Sequence, residues 1–380
     1  MLRQEAETYI NEHAEEAYQL LLRLAQIPAP SHHEEKRMAF CRDWLIQNGA
    51  KGVYTDEAMN VVYPYGVEEG GSVIVFMAHM DVVFPDTETL PLREEKGRIY
   101  CPGVGDDTAN LAALLMAAKY VTQKQFVPKD CGLLFVCNSC EEGMGNLKGS
   151  RKICQDYQGR IRAFYSLDGS MKKVTSRAVG SRRFRVTART QGGHSYGDFG
   201  RKNAIAELSS IITDIYAIKI PAIGKTTYNV GEIKGGTSVN SIAEEASMLC
   251  EFRSDEAAGL SYMQDQFDRI FAAHQKNDVS ITVELVGERP CETIQGEAAK
   301  QREKLIKNAC ALLKAATGQQ PKTTSGSTDC NIPLAEGIPA VCYGAYYGQG
   351  AHTREEYVEK NSLKTGYKVV FESVLQYLNV

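Results

Sequence analysis

Ser72 to Asp81 reads SVIVFMAHMD, an apolar, partly β-branched run that ends on two polar groups, His79 and Asp81. Gly70-Gly71 ahead of it and Pro85 behind it hold the run to strand length. A short run that is apolar at nearly every position suits a strand buried on both faces, as in an α/β sheet covered by helices. His79 and Asp81 are two residues apart, so on a strand they point to the same face. An imidazole whose second nitrogen bonds a carboxylate is fixed in tautomer and orientation, as a metal-binding histidine must be. A core histidine beside an unrelated aspartate has the same spacing, so the weight falls on what else joins this strand end.

The same ending recurs along the chain. The apolar stretch Cys131 to Cys137 runs into Glu141-Glu142, and Ile161 to Leu167 ends in Asp168. Between them, Ile99-Tyr-Cys-Pro-Gly-Val-Gly-Asp-Asp sets Asp106 and Asp107 at the lip of an Ala/Leu-rich helix predicted over Thr108 to Val121, where Asp107 would also serve as an N-cap. In doubly wound sheets ligands bind where the carboxyl ends of strands converge. That many carboxylates brought together without a cation would protonate or repel one another. A pair of divalent ions is the economical explanation.

The remaining segments supply packing and a second domain. A first helix is predicted to run to about Gln26 and to stop at Pro28 and Pro30; Ser31 with Glu34 reads as a capping box for a second helix that Gly49 ends. A strand region is expected over Tyr54 to Tyr65. From Ser176 the pattern turns to polar–apolar alternation, the mark of a sheet with one wet face. RFRVTART, a helix over Asn203 to Tyr216, strands Thr227 to Ile233 and Ala246 to Arg253, a helix Ser261 to His274 and a strand Val279 to Val286 make the order β-α-β-β-α-β. This is the ferredoxin-like split unit, read as a domain over 176–288 inserted into a first domain formed by 1–175 and 289–380. The first domain resumes with a helix Glu297 to Ala316, a Gly/Ser loop reaching Asp329, a strand Ile338 to Tyr343, and His352 opening the last helix.

At 380 residues, 43% hydrophobic and 24% charged, the chain is long enough for two cores. A net charge of −4 and the lack of any basic cluster interleaved with aromatics argue against nucleic acid as a partner. No apolar run approaches membrane-spanning length and the acidic N-terminal stretch is unlike a signal peptide, so a cytoplasmic protein without a membrane partner is expected. The 11 cysteines are scattered, as reduced buried thiols would be, and Cys137-x-x-Cys140 lacks the second pair of a zinc knuckle. Gly193-His-Ser195-Tyr-Gly197 matches the G-x-S-x-G elbow of serine hydrolases. That elbow needs a buried strand running straight into a helix, whereas here the strand is amphipathic and Asp198-Phe-Gly-Arg-Lys intervenes. His13, His32, His33 and His274 read as surface or packing residues.

Taken together, His79-x-Asp81, Gly105-Asp106-Asp107, Glu141-Glu142-Gly143, Asp168 and His352, interrupted by an insertion carrying Gly192-Gly-His194-Ser, resemble the M20 family of dinuclear zinc peptidases and deacylases. The resemblance covers nearly the whole chain and looks closest to peptidase T-like di- and tripeptidases. It implies a zinc-exopeptidase-like α/β catalytic domain, with a mixed sheet flanked by helices, and a ferredoxin-like α+β lid that dimerises. It further implies two Zn2+ per subunit, with Co2+ or Mn2+ as substitutes: His79 and Asp168 on one, Glu142 and His352 on the other, Asp106 bridging. Asp81 would orient His79, Glu141 would act as general acid/base, and His194 and Arg253, with Asn240, would bind substrate from the lid. His194 would serve the neighbouring subunit of a homodimer, and the Asp106-Asp107 peptide would be cis. Thr108, where members often carry lysine, and Cys140 ahead of the glutamates depart from the pattern without removing a ligand.

The chemistry agrees with those roles. Two ions about 3.5–4 Å apart need a bridging carboxylate and terminal nitrogen and oxygen ligands, and they bring the pKa of a shared water near neutrality. Successive side chains on a strand end diverge, so one glutamate of the pair can bind metal while the other stays free as base. The expected activity is hydrolysis of an amide bond in a short peptide, a di- or tripeptide exopeptidase of the aminopeptidase or dipeptidase type. N-acyl amino acid deacylation is the alternative within the family. A serine hydrolase using Ser195 and a non-catalytic binding module are the readings outside it, the latter disfavoured because every ligand type and Glu141 are present.

Overall fold

The computed structural model describes residues 3–380, and they divide into two compact units. One unit takes the chain up to Ala178 and again from Thr293 to Val380; the other is Val179–Glu292.

The first unit opens with α1 (Gln4–Glu12) and α2 (Ala14–Gln26), where one helix was expected; the break is at His13. After α3 (Glu35–Gln47) the expected strand region is split into β1 (Tyr54–Thr55) and β2 (Val61–Tyr65). The cause is Asp56, whose carboxylate accepts the N–H groups of Ala58 and Asn60 and turns the chain. The capping box is not formed: Glu34 is the N-cap residue of α3 but makes no side-chain capping bond, and its side chain is buried instead. β3 (Val73–His79) is followed by α4 (Asn110–Lys124), β4 (Gly132–Asn138), α5 (Lys148–Asp156), β5 (Ile161–Leu167) and β6 (Lys173–Ala178). α4 starts two residues later than predicted, because Asp106 and Asp107 take non-helical backbone angles in an irregular turn over Val104–Ala109.

The second unit contains β7 (Gly180–Arg189), α6 (Ala204–Tyr216), β8 (Thr226–Gly235), β9 (Glu245–Ser254), α7 (Ala257–His274) and β10 (Ser280–Arg289). Its four-stranded antiparallel sheet has the order β8-β9-β7-β10, the arrangement of a ferredoxin-like split unit. Asn203 caps α6 by accepting from Ile205 and Ala206 N–H. Burial alternates along β9, and Phe184, Phe252, Phe267 and Phe271 pack with α6 residues beneath one face.

Back in the first unit, α8 (Gly296–Thr317), β11 (Lys322–Gly326), β12 (Ala340–Tyr343) and α9 (Leu363–Leu375) complete a mixed eight-stranded sheet of order β1-β2-β4-β3-β5-β12-β6-β11. Its centre, β4-β3-β5-β12, is parallel. Every residue of β3 is buried: Ile74, Phe76 and Ala78 join the core containing α4 and α9, while Val73, Val75 and Met77 join the opposite one with Ile153 and Phe164. At about 1.5–3 kcal/mol per buried large side chain, these two cores fix the height at which the central strands end. The last helix does not open at His352, which sits in a turn with φ +66°. Among the described residues no helix is long and apolar enough to cross a membrane.

The strand ends are packed against one another at the backbone. A Cβ at Gly344, just past β12, would lie 1.5 Å from the carbonyl oxygen of Gly169, just past Asp168. Gly344→Ala is therefore expected to cost about 1–3 kcal/mol, the usual range for overpacking. Urea denaturation should show a lower midpoint at unchanged slope.

Candidate metal centre

His79 and Asp168, at the ends of parallel strands, and Asp106, Glu142 and His352, on turns beyond them, fall into two overlapping clusters. Ligand atoms of His79, Asp106, Asp107 and Asp168 lie within 4.8 Å of one another, and so do those of Asp106, Glu142 and His352. Asp106 belongs to both groups. Its Oδ1 is 3.2 Å from His79 Nε2 and its Oδ2 is 3.2 Å from His352 Nε2, so the two oxygens of one carboxylate address different imidazoles. His352 Nε2 is also 3.0 Å from Glu142 Oε1. Glu141 and Glu142 are both buried, and both bring a carboxylate oxygen near His79, so the pair diverges less than alternation predicted. The Asp106-Asp107 peptide is cis.

Asp81 does more than the sequence suggested, and partly in another way. His79 Nδ1 faces the main-chain oxygen of Asp81 at 2.9 Å, whereas the nearest carboxylate oxygen of Asp81 is 3.5 Å away. The carbonyl, not the carboxylate, therefore sets the tautomer: Nδ1 carries the proton and Nε2 presents its lone pair. The Asp81 carboxylate instead accepts the N–H groups of Glu141 and Glu142, each at 2.9 Å, and the Ser31 hydroxyl at 2.6 Å. One aspartate thus ties the β3 strand end to the glutamate turn.

The donor set calls for positive charge. The lone pair of His79 Nε2 points at a carboxylate oxygen, and His352 Nε2 meets two of them, which is stable only with a proton or a cation between the atoms. The titration behaviour expresses the same demand. Hydrogen bonds to Asp106 and Glu142 push the His352 imidazole up to about 11. Burial, with the Asp106 charge added, raises Asp168 to about 6. Against its own burial, Asp106 is held below the usual carboxylate range by His352 and His79. Divalent cations suit these residues: an oxygen-rich, two-imidazole set around a shared carboxylate.

Several supporting residues escaped the sequence reading. Asp107 accepts from the His79 main-chain N–H at 2.9 Å and from Asn110 Nδ2 at 2.6 Å, so it is a strut and not simply a helix cap. Asn110 also donates to Gly169 O and accepts from Ala345 N–H, joining three of the strand-end loops. Glu356 Oε1 accepts from Gly105 and Asp106 N–H, and its Oε2 from Gly103 N–H, cradling the Asp106 loop. Asn138 Nδ2 donates to Asp329, a buried carboxyl that burial raises to about 7. The one available signal was polarity out of place, such as Asn110 in an Ala/Leu helix.

In the other unit, His194 pairs in a two-residue ladder with Ser241. The Tyr196 and Gly197 N–H groups donate to its Nδ1, at 3.3 and 3.2 Å. Its outward Nε2 therefore carries the proton and is a donor. Arg253 forks onto Glu251, with Nε and Nη2 at 2.7 and 3.1 Å from the two oxygens. Asn240 is exposed; its Oδ1 accepts from the Ser238 hydroxyl and its main-chain oxygen from Ser195 N–H. Ser195 lies in a turn that ends well before α6, which is not the strand-to-helix elbow of a serine nucleophile.

Glu356→Ala would strand two buried donors and one half-buried one at about 1–3 kcal/mol each. A stability loss of at least about 3 kcal/mol is expected by chemical denaturation. Glu356→Gln, which keeps one acceptor oxygen, should lose less.

Comparison with known proteins identifies the family. Residues 75–376 match the family described as peptidase family M20/M25/M40. A succinyl-diaminopimelate desuccinylase of Corynebacterium glutamicum is 26% identical over 347 residues, 89% of this chain and 90% of that protein. Carboxypeptidase G2 of a Pseudomonas species is 25% identical, covering 77% and 71%. A tripeptidase crystal structure from Staphylococcus aureus superposes with a TM-score of 0.71 at 22% identity, over 95% of this chain and 98% of that one. A match that leaves only the two ends of the chain outside it settles the family: the protein belongs to peptidase family M20/M25/M40, as one of its metal-dependent hydrolases.

Proposed function

We propose that the protein cleaves a terminal amide bond of a short peptide at a pair of divalent ions, zinc by preference, with Glu141 moving the proton. The observation that carries this reading is Asp106, whose two oxygens each face a different histidine at 3.2 Å, the posture of a carboxylate shared by two ions. His79 and Asp168 would complete one ion's ligands, and Glu142 and His352 the other's. Asp107 belongs to the first cluster by distance, but hydrogen bonds from His79 N–H and Asn110 already occupy its oxygens, so it is assigned to support.

Two divalent ions held by these residues would supply Lewis acidity and lower the pKa of a bound water toward neutrality. The chain's own residues do the rest. Glu141, buried beside His79 and Glu142, takes a proton from the attacking water and returns it to the leaving nitrogen. Asp81 keeps Glu141 and Glu142 in place through their N–H groups. On the substrate, the His194 Nε2–H is suited to an oxygen that gains negative charge, and the Arg253 fork to a free carboxylate that displaces Glu251. Both edges of the β8-β9-β7-β10 sheet are largely exposed, which supports a homodimer formed through this unit.

Glu141→Gln should retain metal and substrate binding while kcat falls by about 10²–10⁴, the usual share of general acid/base catalysis. Chelation should abolish parent activity and Zn2+ or Co2+ should restore it; unchanged kcat in the variant sinks the role of Glu141.

The desuccinylase relative favours one competing reading, removal of an N-acyl group from an amino acid. A panel of di- and tripeptides, their C-terminal amides, and acetylated and succinylated amino acids separates the two. Cleavage of free peptides, with amides refused, is expected of the parent. Arg253→Lys should lose that preference nearly as fully as Arg253→Ala, since a point charge cannot reproduce the fork. Turnover confined to N-acyl substrates would establish the deacylase.

A further inference from the structure

α3 and the turn before it, read from sequence as a capped packing helix, carry three polar side chains that reach toward the metal centre from behind. Ser31 lies in the turn before α3, Glu34 is its N-cap residue and Arg37 is in its first turn. The Ser31 hydroxyl donates to Asp81 Oδ2 at 2.6 Å. Glu34, fully buried, accepts the Cys140 N–H at 2.9 Å through Oε1, which also lies 3.4 Å from the Cys140 thiol. Cys140 directly precedes the glutamate pair and sits at φ +58°, a left-handed posture that a non-glycine residue keeps only when held. Arg37, also fully buried, donates from Nη1 to Met80 O at 2.7 Å and to Thr108 Oγ1 at 3.3 Å, and from Nη2 to Ile27 O at 2.6 Å.

Arg37 is the unusual member. Burying a guanidinium is costly, and the hydrogen-bond acceptors it finds among the described residues are three neutral oxygens. Each of two acceptors lies at a decisive place. Met80 is the residue between His79 and Asp81, and Thr108 directly follows Asp106-Asp107. Nη1 holds Met80 O and Thr108 Oγ1 while Nη2 of the same rigid plane holds Ile27 O, so three segments are kept in a fixed relation that a single flexible ammonium cannot reproduce.

We propose that Ser31, Glu34 and Arg37 are positioning residues that lock the three ligand-bearing segments (His79 to Asp81, Asp106 to Thr108 and Cys140 to Glu142) in register for metal binding. The proposal rests on the metal-dependent reading above. Groups one step outside a metal's ligands set ligand orientation, and their loss costs about 10–100-fold in metal affinity or activity. Arg37 is the part most sensitive to shape: lysine keeps the charge but not the two-point grip.

The test is titration of metal-free full-length protein with Co2+, followed by its visible absorption, with chelator competition for Zn2+. Arg37→Lys and Ser31→Ala are each expected to weaken metal binding by about 10–100-fold. After saturating metal, kcat should be lowered while KM stays within about twofold. Glu34→Gln, which still offers an oxygen to the Cys140 N–H, should recover most of what Glu34→Ala loses. Leu313→Ala, a buried substitution in α8, serves as a control that lowers the melting temperature and should leave metal affinity within about twofold. If Arg37→Lys does not fold, Ser31→Ala decides alone. Parent-like metal affinity in the brace variants, or an equal loss in Leu313→Ala, overturns the proposal while leaving the hydrolase reading intact. A parent that takes up no divalent metal overturns both.

Discussion

The bond set around Asp81 is the interaction on which the rest of the centre depends. Its main-chain oxygen fixes the His79 tautomer, and its carboxylate takes two main-chain N–H groups from the glutamate turn and one hydroxyl from Ser31. A buried carboxylate is tolerable when its lone pairs are so used. Burial would raise its pKa, yet contact with His79, Ser31 and the Glu142 N–H holds it below the usual range. Two strand ends and a helix approach thus meet at one side chain, so a displacement of any of them is felt in the candidate metal centre.

The neighbouring loops follow the same logic. Acidic groups crowd the end of the parallel sheet, and several are tied to main chain or amides: Glu356 accepts the Asp106 N–H, Asp107 accepts from His79 N–H and Asn110, and Asp329 accepts from Asn138. Such anchoring fixes the orientation of the candidate ligands, and would lower the reorganisation that binding a cation requires. The two cores on either side of β3 supply the rigidity beneath it.

The second unit is built to a looser rule. Its sheet buries one face against α6 and α7, and its charged groups pair along the strands, with Arg253 and Arg183 converging on Glu251. An arginine whose present partner is a partly exposed glutamate can exchange it for another carboxylate at small cost, because such pairs contribute little on their own.

Apolar runs ending in acid, polar–apolar alternation from Ser176 and the order of strands and helices were enough to expect an α/β sheet with ligands at its carboxyl edge and a ferredoxin-like insertion. Period and local composition report which face of an element is buried, and those faces are decided by the residues themselves. His79, the Glu141-Glu142 pair and Asp168 were legible for a related reason: each stands at or just past the end of a hydrophobic strand. What surrounds them was not. Glu356 meets Asp106 across 250 residues of chain, and Ser31 meets Asp81 across 50. Ser31 and Glu34 have the spacing of a helix cap, and only the fold turns both inward to the metal centre, where buried donors and acceptors from β3 and the glutamate turn outcompete the local capping bond. His352 is likewise a ligand candidate by sequence but owes its reach to a left-handed turn that no periodicity announces. Local pattern determined the elements and their buried faces; the partners of the polar groups were decided by which segments the closed sheet brought within hydrogen-bonding distance.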